Sequence, residues 1–132
     1  MKARILIVDD DPSIRYSVSR ILDTHGYTVT LIETSKDCLR ELLRVNGQVD
    51  LILLDIMLPE LSGVTIFNAI KKRFPKIKII FMSALQPPQN MKDLLRSEGG
   101  VPNIMKPFDN RVLLDAVEKT LGFSNTPTSK LE

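Results

Sequence analysis

Five short apolar runs, at residues 5–8, 28–32, 51–54, 79–82 and 103–105, recur along the chain, most of them aliphatic or β-branched with no polar alternation. A strand that is apolar on both sides must be covered on both faces, so such runs specify a parallel sheet between two layers. The second run is the expected edge. Segments of helical spacing separate the runs: Ile14, Val18, Ile21 and Leu22; then Cys38, Leu39, Leu42 and Leu43; then Ile66, Phe67, Ile70 and Phe74. A weaker stripe uses Met91, Leu94 and Leu95, and a last one Val112, Leu113, Ala116, Val117 and Leu121. Each stripe gives its helix one apolar face.

The punctuation agrees with this order. Asp11 can cap a first helix opened by Pro12, and Gly26, Gly47 and Gly122 follow helical stretches. Asp109 can cap the last helix, with Phe108 and Leu113 as a hydrophobic staple. Strand–helix alternation with short connections predicts a doubly wound α/β domain with helices on both sheet faces.

Composition bounds what such a domain can do. With 132 residues, 43% of them hydrophobic and 26% charged, the chain can bury one core and is not a disordered polymer. Eighteen Lys and Arg against sixteen Asp and Glu leave a formal +2, which gives no global attraction to nucleic acid or membranes. The one basic cluster, Lys71, Lys72, Arg73, Lys76 and Lys78, reads as a helix C-terminus followed by a solvated turn. The apolar runs are interrupted by Asp55 and Pro59, far short of the roughly 20 residues of a membrane span. Cys38 has no second cysteine to pair with, and residues after Met1 lack a secretory apolar core, so a reducing, cytoplasmic setting is expected. Cys38 and the methionines Met57, Met82, Met91 and Met105 are expected to pack in the interior, and His25 to sit at a helix end.

In an open α/β sheet, ligands bind beyond the carboxyl ends of the strands. That rule gathers Asp9, Asp10 and Asp11 past the first strand, Asp55 at the end of the third, Ser83 past the fourth and Lys106-Pro107 past the fifth. Asp9 to Asp11 alone would also suit a loop with a helix cap, Ser83 a strand-end hydroxyl bonded to backbone, and Lys106 a solvated surface lysine. Asp55 is less easily explained so, because it interrupts an apolar run where an unpaired carboxylate is costly. Converging carboxylates repel one another, and a hard divalent cation such as Mg2+ holds them together while keeping sites for water and phosphate oxygens. An ammonium and a hydroxyl on the same rim complete a set suited to phosphoryl transfer by positioning and electrostatics.

These residues carry a family resemblance. Val8-Asp9-Asp10-Asp11, Leu54-Asp55-Ile56-Met57-Leu58-Pro59, Ser62-Gly63, Ser83-Ala84 and Lys106-Pro107-Phe108 resemble, in order and spacing, the motif set of receiver domains from two-component response regulators. The resemblance spans residues 1–122 and implies a flavodoxin-like (βα)5 fold with strand order 2-1-3-4-5. It implies that Asp55 is the phosphoacceptor. Asp9, Asp10, Asp55 and the Met57 backbone carbonyl would hold Mg2+, Ser83 would be the switch hydroxyl, and Lys106 would contact the phosphoryl group. The Lys106–Pro107 bond is expected to be cis. Residues 123–132 read as a flexible tail, linker or cloning remnant.

The function implied is a phosphorelay switch that takes its phosphoryl group from a histidine kinase or phosphotransfer protein. Its output domain or protein is unknown, and phosphorylation-dependent dimerisation is one form its surface change could take. It would be no enzyme beyond its own phosphorylation and dephosphorylation. Direct binding of nucleic acid or membrane by this domain is not expected. A metal-dependent phosphatase of the haloacid dehalogenase type needs a second Asp where Met57 stands, and a flavin carrier would place its phosphate against an acidic rim. A degenerate receiver that only binds partners would not need Asp9, Asp10, Asp55, Ser83 and Lys106 together. One departure stands out: receivers usually carry Tyr or Phe three residues before the lysine, and this chain has Asn103 there, after Pro102. The signal is therefore expected to run mainly through residues 84–91, where Pro87 and Pro88 stiffen the backbone, with little effect from Asn103.

Overall fold

The computed structural model describes residues 3–83, Gln89, Lys92, Asp93, Arg96 and 102–122. Strands β1 (Arg4–Val8), β2 (Thr28–Ile32), β3 (Leu51–Asp55), β4 (Lys78–Ser83) and β5 (Asn103–Met105) alternate with helices α1 (Pro12–Thr24), α2 (Ser35–Arg44), α3 (Gly63–Arg73) and α4 (Asn110–Thr120). All strand pairs are parallel, in the order β2-β1-β3-β4-β5. The expected strands and edge are thus present. Gln89, Lys92, Asp93 and Arg96, between β4 and β5, are helical; the stripe of Met91, Leu94 and Leu95, the segment 84–88 and the tail 123–132 lie outside the described residues.

Strand alternation divides the interior into two cores. Leu6, Val8, Ile52, Leu54, Ile79 and Phe81 face one layer with Cys38 and Leu42 of α2 and Ile66, Phe67 and Ile70 of α3. Ile5, Ile7, Leu51, Leu53, Ile80, Met82 and Ile104 face the other, with Val18 and Leu22 of α1 and Leu113 and Val117 of α4. Every residue of β3 is buried, which is why its run shows no alternation. Burial in the first core pushes the Cys38 thiol up to about 12, so it is an uncharged packing group.

Helix starts follow the local chemistry. The Asp11 carboxylate accepts the Ser13 N–H ahead of Pro12, Thr34 caps α2, Ser62 caps α3 and Asp109 caps α4. Phe108 and Leu113 lie in the same core, as a staple requires. At the end of α3, Lys71 Nζ donates to the carbonyls of Pro75 and Ile77, tying down the basic turn. His25 caps α1 with Nδ1 2.9 Å from the Ile21 carbonyl.

Three sequence expectations need correction. Ser83 is the last residue of β4 and not beyond it, because its carbonyl continues the ladder by accepting the Lys106 N–H. Leu43 (54%) and Val112 (45%) are exposed, since α2 buries only the flank bearing Ser35, Cys38 and Leu42 and α4 the flank bearing Leu113 and Val117. Met57 (60%) and Met105 (42%) are exposed, and among the described positions only Met82 packs as expected. No helix among the described residues is long and apolar enough to cross a membrane.

The exit from α2 turns through Asn46 (φ 55°) and Gly47 (φ +71°), both left-handed. A Cβ on Gly47 would sit against the Phe74 ring, well inside contact distance. Gly47→Ala should therefore lose about 2 kcal/mol or more of unfolding free energy, through the backbone conformation and the steric clash together. Urea denaturation measures it, and a loss confined to a few tenths would mean that Phe74 yields freely.

Candidate phosphoacceptor and metal site

Register brings the site together. Ile7 pairs with Leu53 and Val8 with Leu54, so the next step up the ladder sets Asp9 opposite Asp55, with side chains on the face shared by α1 and α4. Two carboxylates directly opposite on neighbouring strands repel. The third cation-bearing strand resolves this: Ile104 has the same facing, and Lys106, two residues on, sends its ammonium to 2.7 Å from Asp9 Oδ2 and 3.6 Å from Asp55 Oδ2. At 2.7 Å the contact with Asp9 is a close, charge-assisted ion pair.

The remaining oxygens are positioned by backbone. Asp9 Oδ1 accepts the Asp11 N–H at 2.9 Å, and Asp55 Oδ1 accepts the Met57 N–H at 3.0 Å. From α1, Arg15 Nη1 donates to the Asp9 carbonyl at 2.7 Å, holding the acidic turn against the helix. Asp11 is occupied by its cap, and its bonds from Ser13 hold its carboxyl below the ordinary range. Asp10 is exposed, whereas Asp9, Asp55 and Ser83 are buried.

The electrostatics follow from burial. Burial pushes the Asp55 carboxyl above its ordinary value, opposed by the Met57 N–H and reinforced by Asp9. For Lys106, burial works against the charge but is outweighed by Asp9 and Asp55, which push its ammonium up. Two acids and one ammonium on the rim, plus exposed Asp10, leave uncompensated negative charge. Asp9, Asp10 and Asp55 offer oxygens that all lie within 4.8 Å of one another. Hard carboxylate oxygens from three residues, with Asp10 open to solvent, fit a divalent cation of the Mg2+ kind that retains waters.

All the sequence-predicted site residues lie at this carboxyl rim. Asp9, Asp10, Asp55 and Lys106 are brought together directly, Ser83 ends the adjoining strand, and the exposed Met57 side chain points away from any packing role. The Lys106–Pro107 bond is cis, as expected. Sequence reasoning missed Arg15, whose spacing of six from Asp9 across the α1 cap is the signal that could have found it.

Comparison with known proteins agrees. The family model of the response regulator receiver domain matches residues 5–118. A CheY-like response regulator receiver domain protein from Methanospirillum hungatei superposes with a TM-score of 0.83 at 32% identity, covering 92% of this chain and 95% of that one. The DNA-binding transcriptional regulator NtrC of Azospirillum brasilense is 34% identical over 98% of this chain and 26% of its own length. The sensor kinase CckA of Brucella abortus is 29% identical over 90% of this chain and 12% of its own. The chain thus spans an eighth to a quarter of these two relatives. It belongs to the response regulator receiver domain family, the phosphorylation-dependent switches of two-component systems.

The raised Asp55 carboxyl has a consequence for the metal-free domain. A group held above its unfolded value contributes stability that is fully present below the unfolded pKa and is lost as pH rises through the folded one. In EDTA, Asp55→Asn should therefore be more stable than the unaltered domain, by a margin that widens from about pH 4 to pH 7 and narrows again on adding Mg2+. Lys106→Met should instead cost about 3–5 kcal/mol, because it strands two buried carboxylates. Urea midpoints across this range test both, and a pH-independent margin for Asp55→Asn would contradict the effect of burial, and of Asp9 beside it, on the Asp55 carboxyl.

Proposed function

We propose that the domain takes a phosphoryl group from the phosphohistidine of a histidine kinase or phosphotransfer protein onto Asp55, and that the modified rim changes the surface seen by an output domain or protein. The observation that carries this reading is a buried carboxylate, Asp55, facing the Lys106 ammonium at 3.6 Å beside Asp9. A carboxylate oxygen of Asp55 forms the new O–P bond while the donor's N–P bond breaks and the imidazole leaves. Asp9, Asp10, Asp55 and the Met57 carbonyl would hold Mg2+, which supplies the positive charge that lets an anionic nucleophile approach an anionic phosphoryl group. Lys106 then trades its contact with Asp55 for a phosphoryl oxygen, and the Ser83 hydroxyl donates to another. Arg15 and the Asp11 N–H keep Asp9 fixed throughout. Catalysis is limited to the domain's own phosphorylation and hydrolysis, so it works as a switch and not as an enzyme on other substrates. A cytoplasmic setting and, for some outputs, phosphorylation-dependent dimerisation accompany this role.

Incubation with a small-molecule acyl phosphate should add one phosphoryl group by intact mass only when Mg2+ is present, and Asp55→Asn should gain none. Equal incorporation into that variant would overturn the reading. Asp10→Ala should weaken Mg2+ binding at least about tenfold, whereas Asp11→Ala should mainly cost the α1 cap. Equal losses of affinity would reassign the acidic triplet.

The lifetime of the phosphoryl group depends on how water is oriented beside it. Met57 is exposed next to Asp55 and offers no hydrogen bond to an attacking water; Leu85, the other flanking position of the family, lies outside the described residues. Dephosphorylation should therefore be slow. Met57→Asn, alone or with Leu85→Glu, should accelerate it severalfold in a mass-based decay assay, and an unchanged decay would refute the polar argument.

A further inference from the structure

Two buried oxygens near the rim have no hydrogen-bond partner: Ser83 Oγ on β4 and Asn103 Oδ1 on β5. They are neighbours. Phe81 pairs with Asn103 and Ser83 with Met105, so Ser83 and Asn103 form a diagonal pair on the sheet face that Phe81 presents to α3. Diagonal positions on one face are about 7 Å apart, a gap that a hydroxyl and a carboxamide can close to hydrogen-bonding contact. Leaving both oxygens unpaired in the interior is costly, and a structure that tolerates it holds a reason to rearrange.

The donor count shows what rearrangement satisfies both. A serine hydroxyl has one proton and two lone pairs, and an asparagine carboxamide has two N–H donors beside its carbonyl. In the unmodified domain the Ser83 hydroxyl does not reach Asn103 Oδ1, so neither group is served. We propose that Asn103 is a positioning residue for Ser83: when Ser83 Oγ–H donates to a phosphoryl oxygen on Asp55, the Asn103 carboxamide turns over and donates Nδ2–H to Ser83 Oγ. The inference rests on Asp55 being the phosphoacceptor. One chain of hydrogen bonds, from carboxamide to hydroxyl to phosphoryl group, then satisfies both buried positions. Asn103 is only partly buried, so turning its amide over carries the carbonyl oxygen outward beside the edge strand β5. A donor and an acceptor exchange places there, which a partner can read. A route confined to residues 84–91 requires the opposite, that Asn103 has no part in the response.

The test uses the full chain with beryllofluoride and Mg2+ as the phosphoryl mimic, followed by 15N NMR. The backbone amides of Ile56 and Met57 report occupancy at Asp55, and the Asn103 side-chain NH2 resonances report the carboxamide. On saturation the Asn103 NH2 signals should shift and exchange more slowly with solvent in the unaltered protein, and should not respond in Ser83→Ala. Asn103→Leu, close in size and apolar, should weaken beryllofluoride binding about threefold to tenfold when Ser83 is present and not at all when Ser83→Ala is already in place. If Ile56 and Met57 respond while the Asn103 NH2 does not, or if Asn103→Leu acts equally in both backgrounds, the pairing is wrong and the phosphoacceptor reading stands. If Ile56 and Met57 do not respond and no phosphoryl group is incorporated, the phosphoacceptor reading fails and takes the pairing with it.

Discussion

Asp9 and Asp55 stand opposite each other at the ends of β1 and β3, both out of water, and only a cation between them makes that arrangement tolerable. Lys106 supplies it from β5, two strands beyond β3, so its ammonium must pass over the end of β4. The sheet order and the length of a lysine side chain are therefore parts of one requirement. A shorter cation on β5 would not arrive. The ammonium balances one carboxylate and leaves the rest of the rim negative, which is what makes a divalent cation and then an anionic group acceptable there.

The interior serves this rim by keeping strand ends level. Continuous burial of β3 and near-continuous burial of β1 and β4 put the full weight of hydrophobic packing behind their register. A slip of one residue in β3 would turn Asp55 toward the α2 and α3 layer and bring Leu54 to the α1 and α4 side. The caps act at the same level: Asp11 starts α1 immediately after the acidic turn, and Arg15, one turn into that helix, returns to the Asp9 carbonyl. Helix, turn and strand end are thereby joined by side chains bonded to backbone groups, the Asp11 carboxylate to the Ser13 N–H and the Arg15 guanidinium to the Asp9 carbonyl.

How far the sequence foretells this depends on the range of the interaction involved. The strands were legible because β1, β3 and β4 are apolar without alternation, and the caps at Asp11 and Asp109 because capping is decided within three residues. Asp55 was legible because a carboxylate inside an apolar run demands a partner. The exposure of Leu43 and Met57 was not, since an apolar side chain on a helix flank or a loop is placed by how the next layer lies across it, which no local pattern records. The contact of Lys106 with Asp9 joins residues almost a hundred positions apart, and only the strand order brings them together. Asn103 was legible as a departure from the family pattern, but its unpaired oxygen and its diagonal relation to Ser83 exist only once β4 and β5 are in register.

The facing of the rim residues has a mechanical meaning. Asp9, Asp55 and Lys106 follow the strand positions that face α1 and α4, whereas Ser83 follows those that face α2 and α3. Throughout its body the sheet separates these two layers. At the carboxyl rim the separation ends. A single small group seated between Lys106 and Ser83 would touch both layers at once, so a modification of a few atoms there would bear on two helical layers together.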